Sequence, residues 1–378
     1  MTEQSQTGNS SQAKPRRTKE VVRHVHLERT RPKLSNYDEQ DNARKAKKAQ
    51  NRRSRAQSAS RGKKASASPA RRDSRAKLRI IPLGGLDAIG KNMTAFECGN
   101  DMVLDDAGLM FPDDNHPGID LILPDYSYVL ENAEKLRGII ITHGHEDHTG
   151  ALPYLLKDLD RKVPIYATKL TLGLIEGKLA EHKINNAKLC EIKPGQSIKL
   201  GSITAEFFSV NHSIPDAVGV FFQSPAGNVL HTGDFKLDQS PIDGVHTDFG
   251  ALARFSKIGV DLMMSDSTNA SNPNFTPSEA EVGKALDTII SQATGRVIVA
   301  SFASHIHRMQ QICDAAVRNG RKVAVTGRSM VQNTDIARRL GYLNIADKNL
   351  IDAYDLKGCP SNSYVVMCTG SQGEPLSA

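Results

Sequence analysis

The chain has 378 residues, 49 Lys/Arg against 42 Asp/Glu, and a formal net charge of +7, a length that allows two domains with cores of their own. Its five cysteines form no CxxC pair and no run of about 18 apolar residues occurs, which argues against a disulfide framework and against a membrane-spanning helix. The polar N-terminus lacks the apolar segment of a secretory signal, so a cytoplasmic protein is expected.

Residues 1–77 hold 22 Lys/Arg and 7 Asp/Glu, and the remaining residues hold 27 and 35. The positive charge therefore belongs to the N-terminal segment, and the body is acidic. That segment has one aromatic residue, Tyr37, and repeats such as "RKAKKAQNRRSRAQSASRGKKASASPARRDSR". It cannot bury enough apolar surface to offset its ordering entropy, so a disordered basic tail is expected over 1–77. Such an arm attracts polyanions by counterion release, giving nonspecific, salt-sensitive nucleic-acid contact. A solvated tail without a partner is the alternative.

From "KLRIIPLGG" (77–85) short apolar runs alternate with glycine-containing turns. "MTAFECG", "MVLDDAG", "RGIIITHG", "VPIYAT", "ITAEFFSVNH" and "NVLHTGD" read as strands ending in polar residues, and "YSYVLENAEK" and "LTLGLIEGKLAEHK" as helices. After about residue 258 the order becomes strand, helix, strand, which argues for a parallel sheet covered by helices. In "TPSEAEVGKALDTIISQA", Thr276, Pro277 and Glu279 have the spacing of an N-cap, N1 and capping-box acid. "RVIVASF", "KVAVTG" and "SYVVMCTGSQG" read as further strands, with helices from about His305 to Asn319 and near 329–340.

The densest signal is "IITHGHEDHTGAL", residues 140–152. His143, His145, Asp147 and His148 crowd one tetrahedral metal but suit two, if further ligands arrive from other strand ends. His212 in "SVNHS" and Asp234 in "HTGDF" are such residues. A carboxylate can bridge, because each of its oxygens can reach one ion. Isolated histidines are usually ordinary surface or core residues; this spacing, with two strand-end partners, is not ordinary.

These residues carry a resemblance. "HGHEDH", "NHS" and "TGDF" resemble the metallo-β-lactamase superfamily. "LGGLDAIGKNM", "DAGLMFP", "SDSTNA", "SFASHIHRMQQI" and "TGSQGEP" are similar to the ribonuclease J group of β-CASP nucleases, from about Leu78 to Ala378. The resemblance implies an α/β fold: an αββα metallo-β-lactamase sandwich over 78–265 and an inserted β-CASP domain starting in 266–378. It implies one zinc on His143, His145 and His212, a second on Asp147 and His148, and Asp234 bridging them. Asp106 matches an acidic residue that orients the ligand loop, and Asp266 one that opens the β-CASP domain beside the active site. The activity implied is hydrolysis of RNA phosphodiester bonds, internally or from the 5′ end, by two-metal chemistry. A homo-oligomer is implied for an intact-length enzyme.

The sequence departs from the group's pattern at Asp87-Ala88, at His305, and in having no histidine after His307. An HxxGH-type segment and one further ligand histidine are therefore expected beyond Ala378, leaving the sandwich incomplete. This keeps two other readings open: a catalytically inactive RNA-binding remnant, and a hydrolase of small esters or thioesters. Weaker signals remain. Ser371 and Gly373 in "GSQG" suit a phosphate nest. His305 and Arg308 share a helix face that could meet RNA phosphates. The Gly118 carbonyl and Asp120 carboxylate could hold calcium, with a solvated acidic loop as the alternative.

Overall fold

A computed structural model of the chain describes residues 76–113 and 115–370. The tail expected over 1–77 lies almost wholly outside the described residues, as do Ser371 and Gly373.

β1 (Leu78–Gly84), β2 (Met93–Cys98) and β3 (Asp101–Asp105) form an antiparallel meander. The sheet continues in parallel through β4 (Leu136–Ile140), β5 (Pro164–Ala167) and β6 (Lys188–Glu191). Helices α1 (Ser127–Glu131), α2 (Glu146–Thr149), α3 (Leu152–Asp158) and α4 (Lys169–Glu181) connect these strands. A second sheet holds β7 (Ser197–Leu200), β8 (Ile203–Ser209), β9 (Val218–Ser224) and β10 (Gly227–His231), all antiparallel. After α5 (Phe249–Ile258), β11 (Leu262–Met264) joins its edge parallel to β10.

Period-two alternation decides which face each residue serves. On β3, Met102 and Leu104 pack with Leu152 and Leu155 of α3 and Ile175 of α4, while Val103 points to the second sheet. There it meets Phe207, Val220 and Phe222; the Phe96 and Phe222 rings stack 4.2 Å apart. Behind the second sheet, Phe208 and Phe221 pack on Phe255 of α5. The result is helix, sheet, sheet, helix, the αββα sandwich that was expected. Each fully buried phenylalanine contributes about 1.5–3 kcal/mol.

The remaining elements are α6 (Glu279–Gln292), β12 (Val297–Ala300), α7 (Ile306–Arg318), β13 (Lys322–Val325), α8 (Arg328–Leu340), β14 (Leu350–Ile351) and β15 (Tyr364–Cys368). The four strands form the expected parallel sheet in the order β12-β15-β13-β14. Its core joins residues of α6, α7 and α8 to Leu170 and Leu174 of α4 and to Ile214. Apolar packing thus runs across the boundary expected at 265/266.

One helix starts later than its sequence signature suggests. Ser278, not Thr276, caps α6, its hydroxyl accepting from the Ala280 N–H. Asp238, from a distant loop, accepts from the Ser278 hydroxyl and the Glu279 N–H. The Glu279 carboxylate is drawn to Arg308 instead of back to the helix start. A tertiary contact overrides the local cap.

Five functional positions lie where β3, β4, β8, β10 and β11 end, and pairing directions bring these ends to one edge of the sandwich. The chain after β3 threads tightly beneath the loop after β4. Ala107 donates its N–H to the His148 carbonyl, Gly108 to the Asn92 carbonyl and Leu109 to the Glu146 carbonyl. A Cβ on Gly108 would sit 1.5 Å from the Asp147 carbonyl oxygen. Gly108→Ala should therefore destabilise the protein by at least about 1–3 kcal/mol in chemical denaturation. Gly295→Ala, where a Cβ meets nothing within 4 Å, should change stability by less than about 0.5 kcal/mol. Equal effects of the two would contradict the close approach.

Candidate metal centre

Buried β4 ends at Ile140, and the chain turns through Ile141, Thr142 and fully buried His143 before His145 opens the short helix α2. One turn of α2 then presents Asp147 and His148 from the same loop. His212 stands after β8 and Asp234 after β10.

Two sets of donor atoms result. His145 Nδ1 lies 3.1 Å from His143 Nε2 and 3.1 Å from His212 Nε2. Asp234 Oδ2 faces this set, 3.9 Å from His143 Nε2 and 3.8 Å from His212 Nε2. The other Asp234 oxygen, Oδ1, is 3.3 Å from His148 Nε2, which is 3.5 Å from Asp147 Oδ2. Asp234 therefore stands between the sets with one oxygen toward each. His143 is close to both: its ring groups with His145 and His212, and also with His148 and Asp234.

Burial sets the protonation states. It holds His143 neutral, well below the ordinary histidine range, with neighbouring imidazoles adding to the effect. Burial likewise pushes His145 down to about 3 and His212 down to about 4. For His148 burial opposes charge, but Asp106, Asp147 and Asp234 outweigh it and raise the ring well above its usual value. Burial alone would raise Asp234 and Asp147; hydrogen bonding to His148 overcomes it and keeps both carboxylates below their ordinary range. Three bare imidazoles, of which only His143 is fully buried, and two partly exposed carboxylates thus converge. That donor set suits a cation.

The outer atoms of the rings are also held. Asp106 is buried and left-handed, with φ 61°. One carboxylate oxygen accepts from His148 Nδ1 at 2.7 Å, and the other from the Thr142 N–H at 2.8 Å. The Thr142 hydroxyl, 3.0 Å from Asp106 Oδ2, is also 3.0 Å from His143 Nδ1. It donates to the carboxylate and accepts from that ring, turning Nε2 of both histidines toward the centre. Ser213 Oγ lies 3.3 Å from His145 Nε2, so His145 turns its Nδ1 inward. The Asn92 amide lies 3.1 Å from His148 Nε2 and 3.2 Å from the Asp147 carbonyl oxygen. Asn92 and Ser213 fall inside motifs that carry the resemblance, but the roles of Asn92, Thr142 and Ser213 are not signalled by the sequence, because their partners are set by folding. Only the adjacency of Thr142 and Ser213 to the histidine motifs could have pointed to them.

Asp266 grips the Asp234 loop: its carboxylate accepts from the Phe235 N–H at 3.3 Å and the Thr268 N–H at 2.7 Å. A cavity of about 740 Å³ opens beside Asp147, His148 and Asp234, with Asp266 in its wall. Buried Asp105 and partly exposed His231 also line it. They pair at 2.7 Å, an approach too bent for a good hydrogen bond, and Asp105 outweighs burial to raise the His231 ring.

The weaker candidates lie apart from the two donor sets. Arg308 donates to Glu279, and the His305 ring caps α7, accepting from the Arg308 N–H and facing the same carboxylate at 3.7 Å. Both are engaged within the protein. Gly118 and Asp120 are exposed, and neither metal-suited grouping found among the described residues includes Asp120.

Comparison with known proteins agrees with this geometry. A model of the beta-lactamase superfamily domain matches residues 116–298, and one of the ribonuclease J beta-CASP domain matches residues 294–378. Ribonuclease J of Mycobacterium tuberculosis is 47% identical over 301 residues, covering 80% of this chain and 54% of that protein. Ribonuclease J of Thermus thermophilus is 45% identical over 306 residues, covering 79% and 53%. This chain spans about half the length of the curated relatives it matches. A crystal structure of a protein of unknown function from Enterococcus faecalis superposes with a TM-score of 0.56 at 16% identity, covering 78% of this chain and 77% of that one. It shows likeness of fold.

Asp106 gives a test of the electrostatics in metal-free protein. The raised folded pKa of His148 means its charge stabilises the fold fully below the unfolded value of about 6.5. That contribution is lost as pH rises through the raised folded value. Asp106→Asn should therefore cost most at pH 6, about 3–5 kcal/mol for a broken buried pair, and less at pH 9. Denaturant titrations in chelator at both pH values check this; a cost that grows with pH would contradict the pairing.

Proposed function

The chain belongs to the ribonuclease J family of metallo-β-lactamase-fold nucleases, and on that premise we propose that it carries the zinc centre of an RNA phosphodiesterase. The observation that carries this reading is the placement of Asp234 between two donor sets, one oxygen toward each. The fold and the His/Asp cluster imply divalent metal binding; neutral imidazoles mixed with carboxylates favour zinc among the divalent ions.

His143, His145 and His212 would hold one zinc and Asp147 and His148 the other, with Asp234 placed to serve both. When bound, a zinc pair lowers the pKa of water toward about 7 and neutralises charge on phosphate oxygens. Asp106 and Thr142 keep the ligand rings in one tautomer, so that no reorganisation is needed when substrate arrives. His148 gives up its proton to solvent on loading. The adjoining cavity, walled by Asp266 and the Asp147 and Asp234 carboxylates, admits a nucleotide only when the acidic wall is offset by cations. Cleavage from the 5′ end, internal cleavage or both fit such a site. The match of residues 294–378 to a β-CASP domain favours RNA over a small ester.

The acidic body makes a basic arm useful. Residues 1–77 are proposed to hold RNA nonspecifically; removing them should flatten the salt dependence of RNA binding, and an unchanged slope would reduce the arm to a spacer. A cytoplasmic location and a homo-oligomer complete the reading. Among the described residues no helix is long and apolar enough to cross a membrane.

His145→Ala tests the site. The variant should lose bound zinc and reduce RNA cleavage by at least about 100-fold, with the far-ultraviolet circular dichroism kept. A variant that cuts RNA at the parent's rate would overturn the ligand assignment.

A further inference from the structure

His212 lies on a turn, residues 211–217, that joins β8 to β9 and is held from outside the sandwich. Ile214, two residues on, is buried in the core shared with α6, α7 and α8. Asp216 is left-handed, φ 63°, a conformation uncommon for a residue other than glycine and kept only where the surroundings demand it. Thr168 Oγ1 donates to the Asp216 carbonyl at 2.9 Å, and the Leu170 N–H approaches Asp216 Oδ2 at 3.5 Å. The short contact to that oxygen comes from the far half of the chain: the Tyr342 hydroxyl.

Tyr342 is delivered there by the end of α8. Gly341 turns left-handed at φ 87°, and the Tyr342 N–H closes the turn on the Ala337 carbonyl at 2.8 Å. Lys169 Nζ donates to the Leu340 carbonyl at 3.0 Å and lies 5.9 Å from the Tyr342 ring centre. Burial and the Asp216 carboxylate push the phenol's titration upward, so it stays a donor. The same turn supplies Ser213, whose hydroxyl meets His145 Nε2 at 3.3 Å. One turn therefore carries one inner histidine, steadies another, and is pinned by a tyrosine that touches neither.

We propose that Tyr342 is a positioning residue for the three-histidine set: its hydrogen bond to Asp216 fixes the turn that places His212 and Ser213, and so couples packing of the parallel-sheet half to metal affinity. The inference rests on the reading of His143, His145 and His212 as zinc ligands. It differs from a role in general stability, because Tyr342→Phe keeps the ring and its packing and removes one hydroxyl.

The test uses the full chain and zinc alone, in competition with a chromophoric chelator. Tyr342→Phe should weaken zinc binding at the three-histidine set by about tenfold, at the lower end of what loss of an outer partner costs, with the melting temperature of the metal-free form little changed. Asp216→Asn should match it, and the double variant should be no weaker than the worse single, because both remove one interaction. Unchanged zinc affinity in Tyr342→Phe while His212→Ala loses zinc would overturn this inference alone, as would losses that add in the double. If His212→Ala also kept the parent's affinity, the ligand reading itself would fall, and the inference with it. Should Tyr342→Phe not fold, Asp216→Asn decides by the same criterion.

Discussion

Ionisable side chains crowded where water hydrates them only in part are the constraint from which the rest of this molecule follows. An unpaired buried charge is expensive, so each of these groups has either lost its charge or found a partner. His143, His145 and His212 take the first course, and His148 with Asp106, Asp147 and Asp234 the second. The charge that remains is negative, and the free ring nitrogens point inward at it. A cluster of this kind sits poised for cations and gains from binding them.

Holding such a cluster requires rigid surroundings. These seven residues come from four strand ends in two different sheets. Period-two alternation packs both faces of those sheets, so the strand ends cannot shift without opening a core. The chain at Gly108 passes beneath the histidine loop with no room for a side-chain carbon, and Asp106, two residues earlier, organises two of the rings. Asp266 and Tyr342 then reach back from later in the chain, to the Asp234 loop and to the His212 turn. The centre is local in sequence at its heart and long-range in its support.

That division explains what could be read in advance. The HxHxDH motif sits on a single loop, and His212 and Asp234 each end an apolar run, so their pattern is visible without a fold. The parallel sheet after residue 258 is likewise legible, because its strands and helices alternate cleanly. The start of α6 is not: Thr276, Pro277 and Glu279 form a convincing local signature, yet Asp238 and Arg308 move the cap to Ser278. His305 and Arg308 share a helix face on which phosphate contact and a satisfied pair are equally legible, and the fold brings Glu279 to both. β9 ("VGVFFQS") gives no alternation, since both its faces are buried. Asn92, Ser213 and Tyr342 act through partners far away in the chain or through the shape of a turn, and no spacing announces them.

The two donor sets differ electrostatically: the first is already neutral, the second carries a proton on His148. Calorimetric zinc titration of the chain at pH 6 and pH 8, in buffers of different ionisation enthalpy, tests it directly. Two zinc equivalents are predicted. One should bind with nearly the same affinity at both pH values and release almost no proton at pH 6. The other should bind more tightly at pH 8 and release a proton at pH 6. A single equivalent, or two that depend on pH in the same way, would contradict the account.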